Sequence, residues 1–88
     1  MNEKRNILIT GANSGIGLAC VKIFVKEGDK VICLVRNKKE SSTEILNSLK
    51  REGDLDIYYL DLETNDLKNS LKGILNNYKN IDILINNA

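Results

Sequence analysis

The sequence predicts an α/β fold in which helices cover both faces of a parallel sheet. Four short apolar runs rich in β-branched residues alternate with three longer amphipathic stretches. Apolarity within each run is nearly continuous rather than alternating, which is typical of parallel strands buried on both faces. The amphipathic stretches would then be crossover helices, so we expect the order β-α-β-α-β-α-β in a doubly wound sheet.

The expected strands are Asn6–Thr10, Lys30–Val35, Asp56–Leu60 and Ile81–Ile85. Between the first two strands, apolar residues recur at spacings of three and four, which predicts a helix with one buried face. This apolar set comprises Ile16, Ala19, Cys20, Ile23 and Phe24. Gly28 then favours the end of the helix, because glycine readily adopts the left-handed conformation that terminates many helices.

The second and third helices have capping residues as well as apolar faces. Asn37, with Glu40 three residues later, predicts an N-cap and a capping box, and Gly53 ends that helix. Thr64 is the expected N-cap of the third helix, and Gly73 falls inside it. The apolar faces comprise Ile45, Leu46 and Leu49 in the second helix, and Leu67, Leu71, Ile74, Leu75 and Tyr78 in the third.

Composition excludes several classes of protein. With 88 residues, of which 42% are hydrophobic and 28% charged, we expect one small globular domain rather than a disordered chain. The net charge of +1 gives no electrostatic basis for binding nucleic acid or an anionic membrane. The sequence shows neither an apolar run long enough to span a bilayer nor a signal peptide. We therefore expect a cytoplasmic protein without a membrane segment or a nucleic-acid partner.

The cysteines and the C-terminus carry two further expectations. Cys20 and Cys33 do not make a disulfide framework, and the chain has no histidine to join them in a zinc site. We therefore expect no metal and no redox role. The sequence stops at Ala88 directly after an apolar run, which predicts that residues 1–88 are the N-terminal part of a longer single domain.

A glycine-rich loop follows the first strand and leads into the first helix. Residues 10–17 read Thr-Gly-Ala-Asn-Ser-Gly-Ile-Gly, a G-x-x-x-G-x-G spacing related to the G-x-G-x-x-G dinucleotide fingerprint. Gly11 would permit the sharp turn out of the strand, Gly15 the close approach of a pyrophosphate, and Gly17 tight packing of the helix. Free N–H groups at the positive end of the helix dipole would face the diphosphate. The loop therefore predicts nucleotide binding on a Rossmann-type fold.

Three motifs together resemble those of the short-chain dehydrogenase/reductase family. The loop of residues 10–17 resembles the family's TGxxxGIG loop, and Asp61-Leu62 resembles its Asp-Val/Leu pair beside the adenine ring. Residues 86–88, Asn-Asn-Ala, resemble the start of its NNAG element. The resemblance implies the strand order 3-2-1-4. It also implies an oxidoreductase that interconverts a small-molecule alcohol and a carbonyl compound, in a homo-oligomeric parent protein.

The resemblance also assigns the cofactor-binding residues. The loop residues would line the diphosphate and the adenosine ribose, with side-chain hydrogen bonds from Asn13 and Ser14. Asp61 would accept a hydrogen bond from the exocyclic amine of adenine, and Leu62 would border the ring. Asn87 would sit against the adenosine and hold neighbouring strands together. The loop set comprises Gly11, Ala12, Asn13, Ser14, Gly15, Ile16 and Gly17.

The end of the second strand bears on the choice of dinucleotide. An acidic residue about 20 positions after the glycines usually binds the ribose 2′-hydroxyl, whereas arginine meets a 2′-phosphate. Val35 lies eighteen residues after Gly17, where NAD-using relatives tend to carry Asp, and it is followed by Arg36 and Asn37. Arg36 therefore predicts NADP(H) in preference to NAD(H), and we expect Arg36 and Asn37 to be cofactor-binding residues. Ser14 departs from the pattern, because NADP-preferring relatives often carry Lys or Arg there.

This chain does not contain the family's catalytic signature, so no catalytic residue is assigned in it. Hydride transfer in the family depends on a Tyr-x-x-x-Lys pair with a Ser and an Asn. The tyrosines and the residues four positions later are Tyr58 and Leu62, Tyr59 and Glu63, and Tyr78 and Asp82. We therefore expect the tyrosines to be packing residues and residues 1–88 alone to be inactive.

Three alternatives stay open from the residues. A non-catalytic NADP(H)-binding regulatory protein would share the fold and lack the Tyr–Lys pair after Ala88. A nucleotide-sugar epimerase usually has the spacing G-x-x-G-x-x-G, whereas the residue three after Gly11 here is Ser14. A methyltransferase that uses S-adenosylmethionine also has a glycine loop, but it typically carries an acid at the end of the second strand.

Overall fold

The structure, a computed structural model, describes residues 4–13, 15–36, 40–63 and 65–87, without the side chains of residues 40–43. The elements alternate as predicted. They are β1 (Asn6–Thr10), α1 (Gly15–Lys26), β2 (Lys30–Val35), α2 (Glu40–Glu52), β3 (Leu55–Tyr59), α3 (Leu67–Leu75) and β4 (Ile83–Asn86). β3 begins and ends one residue earlier than expected. β4 begins two residues later and ends one residue later.

The four strands form one parallel sheet in the order β3-β2-β1-β4. The register aligns Thr10 at the end of β1 with Leu34 of β2 on one side and with Asn86 of β4 on the other. The carboxyl ends of these strands therefore meet at one edge of the sheet. From β1, the first crossover leads to β2 on one side, whereas β4 lies on the other side, so the strand order reverses at β1. The expected α/β fold and strand order are confirmed.

Helices cover both faces of the sheet. α1 and α2 pack on one face, and α3 with Tyr78 packs on the other, against Leu8, Ile32 and Leu34. The residues buried on the α1–α2 face are Ile7, Ile9, Ala12, Val21, Val31, Cys33, Val35, Leu46 and Leu55. Because β1 and β2 have helices on both sides, their sequences are almost continuously apolar.

The buried face of α1 differs from the expected one. Val21 is fully buried, and Cys20 and Phe24 pack partly against the core. Ile16 and Ile23, however, are 72% and 58% exposed. Ala19 is exposed as well. Apolar residues surround this helix, so their spacing alone did not single out the face that meets the sheet.

The rotation of α1 is fixed by Gly17, which is buried at the start of the helix. Residues four and seven positions after Gly17 are Val21 and Phe24, and they share its side of the helix.

The buried face of α2 also differs from the expected one, because Leu46 is buried but Ile45 is 43% exposed.

The helix ends agree only partly with the expected caps. Gly28 has φ +87°, its N–H donates to the Val25 carbonyl at 3.1 Å, and the Asp29 N–H donates to Phe24 at 3.1 Å. This pair of bonds is a Schellman motif, which confirms the glycine stop. α3 begins at Leu67 after Asp66, which makes no side-chain capping bond, and the expected N-cap of this helix, Thr64, lies outside the described residues.

Two further expectations about caps lie outside the described residues. They concern the Asn37 cap and its capping box, since Asn37 and the side chain of Glu40 are not described. Among the helices that the structure describes, none is long and apolar enough to cross a membrane, and the longest, α2, has 13 residues.

Candidate cofactor-binding site

An open pocket of about 540 Å³ lies at the carboxyl edge of the sheet. Its wall combines the loop after β1, the end of β2, the segment after β3 and the end of β4. The lining residues are Thr10, Gly11, Asn13, Leu34, Arg36, Leu60, Asp61, Leu62, Glu63, Asn86 and Asn87. The fold therefore gathers residues from all three motifs, together with Arg36, around one cavity.

The other candidate residues have different surroundings. Ala12 is buried in the core, and Gly15 and Ile16 are exposed at the start of α1. Gly17 lies behind the loop and has no part in the pocket wall. Ser14 and Asn37 lie outside the described residues.

The three loop glycines meet three different steric requirements. Gly11 and Gly15 have φ +61° and +54°, a conformation that L side chains rarely adopt. A Cβ on Gly15 would point into open space, with nothing within 4 Å. A Cβ on Gly17 would overlap the Gly11 carbonyl oxygen and lie 2.7 Å from Asn87 Nδ2. The loop thus needs Gly17 for packing, and it leaves space beside Gly15.

Hydrogen bonds join the ends of β1 and β4 at the floor of the pocket. The Asn87 N–H donates to Thr10 Oγ1 at 2.9 Å, and Thr10 Oγ1 donates to Asn86 Oδ1 at 2.8 Å. Asn87 Nδ2 donates to the Gly11 carbonyl at 3.2 Å. Asn87 therefore ties the glycine loop to β4, and it fixes the loop relative to the sheet.

Arg36 follows β2 directly and faces two carboxylates across the pocket. Its Nη2 is 3.6 Å from Glu63 Oε2, and its Nε is 3.9 Å from Asp61 Oδ1. The same Asp61 oxygen accepts a hydrogen bond from the Glu63 N–H at 2.9 Å, which shapes the turn after β3. Sequence reasoning did not select Glu63. The only signal was its place two residues after Asp61.

Tyr58 and Tyr78 belong to a polar cluster outside the pocket. The Tyr78 hydroxyl donates to Asp56, and it lies 2.9 Å from the Tyr58 hydroxyl. Lys30 Nζ bridges Asp54 and Asp56 at 2.8 and 2.9 Å. Burial, and then the hydrogen bond with Asp56, raise the pKa of Tyr78, so its hydroxyl stays protonated. These tyrosines join β3 to the segment after α3.

Three further observations concern Cys33, Tyr59 and metal-binding side chains. Cys33 is fully buried in β2, and burial raises the pKa of its thiol to about 12, which suppresses the reactive thiolate. Tyr59 is 41% exposed at the end of β3, so its packing is less complete than expected. Within the described ranges, no three or more His, Cys, Asp or Glu residues are grouped to hold a metal ion.

Comparison with known proteins identifies the family. A sequence model of the family described as short chain dehydrogenase matches residues 5–88. This chain belongs to that family. Relatives of this chain include 3-oxoacyl-[acyl-carrier-protein] reductase FabG of Thermotoga maritima, which is 38% identical over 98% of the chain. The NADP-dependent 3-hydroxy acid dehydrogenase of Schizosaccharomyces pombe is 33% identical, also over 98% of the chain.

The chain spans about a third of the length of these curated relatives, 35% and 34% respectively. Among solved structures, the 3-oxoacyl-[acyl-carrier protein] reductase of Brucella melitensis in complex with NAD superimposes with a TM-score of 0.78. The match covers 100% of this chain and 34% of that one at 23% identity, so it supports the fold alone.

Proposed function

We propose that this chain is the cofactor-binding part of an NADP(H)-dependent oxidoreductase that interconverts an alcohol and a carbonyl compound. The observation that carries the proposal is the convergence of the glycine loop, Asp61, Asn87 and Arg36 on one pocket. An α/β sheet binds its ligand at this kind of edge, where the strand order reverses.

The loop and the start of α1 would hold the diphosphate. The open space beside Gly15 would let the diphosphate approach the backbone, where N–H groups of the helix N-terminus are available as donors. Asn87 supports the loop through the Gly11 carbonyl, so it would keep these donors oriented before the ligand arrives. Pre-orientation lowers the entropic cost of binding.

Residues on the other side of the pocket would hold the adenosine. Leu62 would lie against the adenine ring, and Asp61 would accept a hydrogen bond from its exocyclic amine. Arg36 would bind the ribose 2′-phosphate through its planar guanidinium. Val35, which ends β2, offers no carboxylate to the 2′-hydroxyl. The nicotinamide dinucleotide would supply the hydride chemistry.

The named relatives support a nicotinamide cofactor without choosing between its two forms. One curated relative, at 33% identity, is called NADP-dependent, whereas the solved structure that contains NAD shares only the fold with this chain. The preference for NADP(H) therefore depends on Arg36 and on the apolar residue before it. NAD(H) is the alternative that binding measurements would distinguish.

We propose further that residues 1–88 form the N-terminal part of one Rossmann-type domain, with the catalytic Tyr-x-x-x-Lys pair after Ala88. The short share of each relative's length that the chain covers supports this division. The parent protein would act in the cytoplasm as a homo-oligomer on a small-molecule alcohol or carbonyl compound.

Calorimetry with NADP⁺ and NAD⁺ tests the proposal in the full-length protein. The wild type should bind NADP⁺ more tightly, and Arg36→Met should weaken NADP⁺ binding by about 1.5–3 kcal/mol, the usual contribution of a hydrogen bond to a charged group. NAD⁺ binding should change little. Arg51→Met, which removes an exposed arginine from the last turn of α2, is the matched control. Equal affinities for both dinucleotides in the wild type would contradict the NADP preference.

A further inference from the structure

Arg36 has acidic neighbours in the pocket that it lines. Its guanidinium is 3.6 Å from the Glu63 carboxylate and 3.9 Å from the Asp61 carboxylate. Together these three side chains carry one positive and two negative formal charges. A ribose 2′-phosphate would therefore meet an arginine whose charge is already balanced by carboxylates.

The two carboxylates differ in how firmly they are held. Asp61 Oδ1 also accepts a hydrogen bond from the Glu63 N–H, and the Asp61 side chain is 50% exposed. The Glu63 side chain is 81% exposed, so it can leave Arg36 without losing packing contacts. Glu63 is thus the partner that a competing anion can displace.

We propose that Glu63 weakens the preference for NADP(H) over NAD(H) by competing with the ribose 2′-phosphate for Arg36. The inference rests on the proposed function. A doubly charged phosphate can pair with Arg36 only when the Glu63 carboxylate moves away, and the two anions repel each other. A 2′-hydroxyl is uncharged, so NAD(H) binds with Glu63 still beside Arg36. Glu63 therefore reduces the ratio of NADP(H) affinity to NAD(H) affinity that Arg36 creates.

The size of the effect follows from the exposed Arg36–Glu63 ion pair that the phosphate must displace. An exposed ion pair of this kind changes an equilibrium by roughly 1.5-fold to fivefold, so removing the Glu63 carboxylate should strengthen NADP⁺ binding by a factor in that range. Because both groups are exposed, added salt should reduce the effect, and it should be small at about 1 M ionic strength. Such salt dependence separates a charge effect from a change in the shape of the pocket.

Titration calorimetry of the full-length Glu63→Gln variant provides the first test. Binding of NADP⁺ and of the fragment adenosine 2′,5′-bisphosphate should strengthen by a factor in that range at low salt. Binding of NAD⁺ and of adenosine 5′-monophosphate should not strengthen. Glu44→Gln, an exposed acid on α2, is the control and should alter none of these affinities. Equal strengthening of all four ligands, or of none, would overturn the proposal.

The same substitution in an Arg36→Met background tests the route by which Glu63 acts. If Glu63 competes for Arg36, Glu63→Gln should then leave NADP⁺ affinity unchanged. The same strengthening without Arg36 would overturn the competition. The two proposals fail differently: a wild type that binds neither dinucleotide contradicts the proposed function. Normal binding of both, unaffected by Glu63→Gln, contradicts only the role of Glu63.

Discussion

Gly17 packs so closely against Gly11 that a Cβ on Gly17 would overlap the Gly11 carbonyl oxygen. The same Cβ would lie 2.7 Å from Asn87 Nδ2, which donates to that carbonyl. One missing side chain therefore allows the start of α1, the glycine loop and the end of β4 to meet.

Gly17→Ala should destabilise the protein, because the overlapping atom belongs to the backbone and cannot rotate away. Forcing an extra carbon into a packed site typically costs about 1–3 kcal/mol, partly offset here by the better helix propensity of alanine. Gly73→Ala in α3 is the matched control, since its Cβ would meet nothing within 4 Å. That variant should gain roughly 0.5–1 kcal/mol. Urea unfolding measures both, and a stabilised Gly17→Ala would contradict the packing argument.

Gly15→Ala should lose both stability and cofactor binding. Gly15 has φ +54°, and alanine in this region costs about 1–2 kcal/mol. The added methyl group would also enter the space proposed for the diphosphate. Gly28→Ala separates the two effects, because Gly28 has φ +87° and open surroundings but lies at the far end of α1. Both variants should lose similar stability, and only Gly15→Ala should weaken NADP⁺ binding. Unchanged NADP⁺ affinity in Gly15→Ala would mean that the diphosphate binds elsewhere.

The free energy of unfolding should decrease at pH values below about 4, in part because Asp29 becomes protonated there. Arg5 Nε and Nη2 donate to its two carboxylate oxygens at 3.0 and 2.9 Å, and these hydrogen bonds lower the pKa of Asp29 below its ordinary 3.8. Since the folded-state pKa is depressed, the contribution is fully present above the unfolded-state value. It is lost as the pH falls through the folded-state value.

Asp29→Asn and Arg5→Met should each reduce the loss of unfolding free energy at acid pH. Urea unfolding at a series of pH values from about 7 to 2 measures this loss. The loss in the double variant should be no smaller than in either single variant, because both remove the same pair. Asp54 and Asp56 also have lowered pKa values, so some acid dependence should persist. If the unfolding free energy of either single variant decreases with falling pH as steeply as that of the wild type, the Arg5–Asp29 pair does not contribute to the acid dependence.

Residues 1–88 expressed alone should self-associate and show no dehydrogenase activity. β4 pairs only with β1 in the described sheet, and Leu84 on it is 61% exposed. An exposed apolar edge strand is a template for pairing with another chain. Leu84→Lys should reduce association in sedimentation experiments, whereas Ile23→Lys, on the 58% exposed Ile23 of α1, should not. A concentration-independent monomer, or turnover of an alcohol or carbonyl compound by this piece, would contradict the prediction.

Local sequence patterns were sufficient for much of the fold. Continuous apolar runs identify strands such as Lys30–Val35, whose bounds are as predicted. Gly28 ends α1 because glycine readily adopts the left-handed conformation, which is also a local property of the sequence. The order β3-β2-β1-β4 came from the resemblance to a family rather than from periodicity, since pairing between strands is a long-range property.

Long-range contacts decided what the patterns left open. The face that α1 buries depends on Gly17 meeting Gly11, so Ile16 and Ile23 are exposed although their spacing suits a buried face. The Arg5–Asp29 pair joins residues 24 positions apart, and no local rule selects it.

The candidate site divides in the same way. The sequence by itself determined the glycine loop and Arg36, because each follows a strand at a recognisable spacing, and Asp61 was assigned through the resemblance to a family. Only the tertiary structure decided that Glu63 lies 3.6 Å from Arg36 and that Asn87 supports Gly11. The physical reason is that spacing along the chain specifies local conformation, whereas charges and hydrogen bonds act between atoms that folding alone brings together.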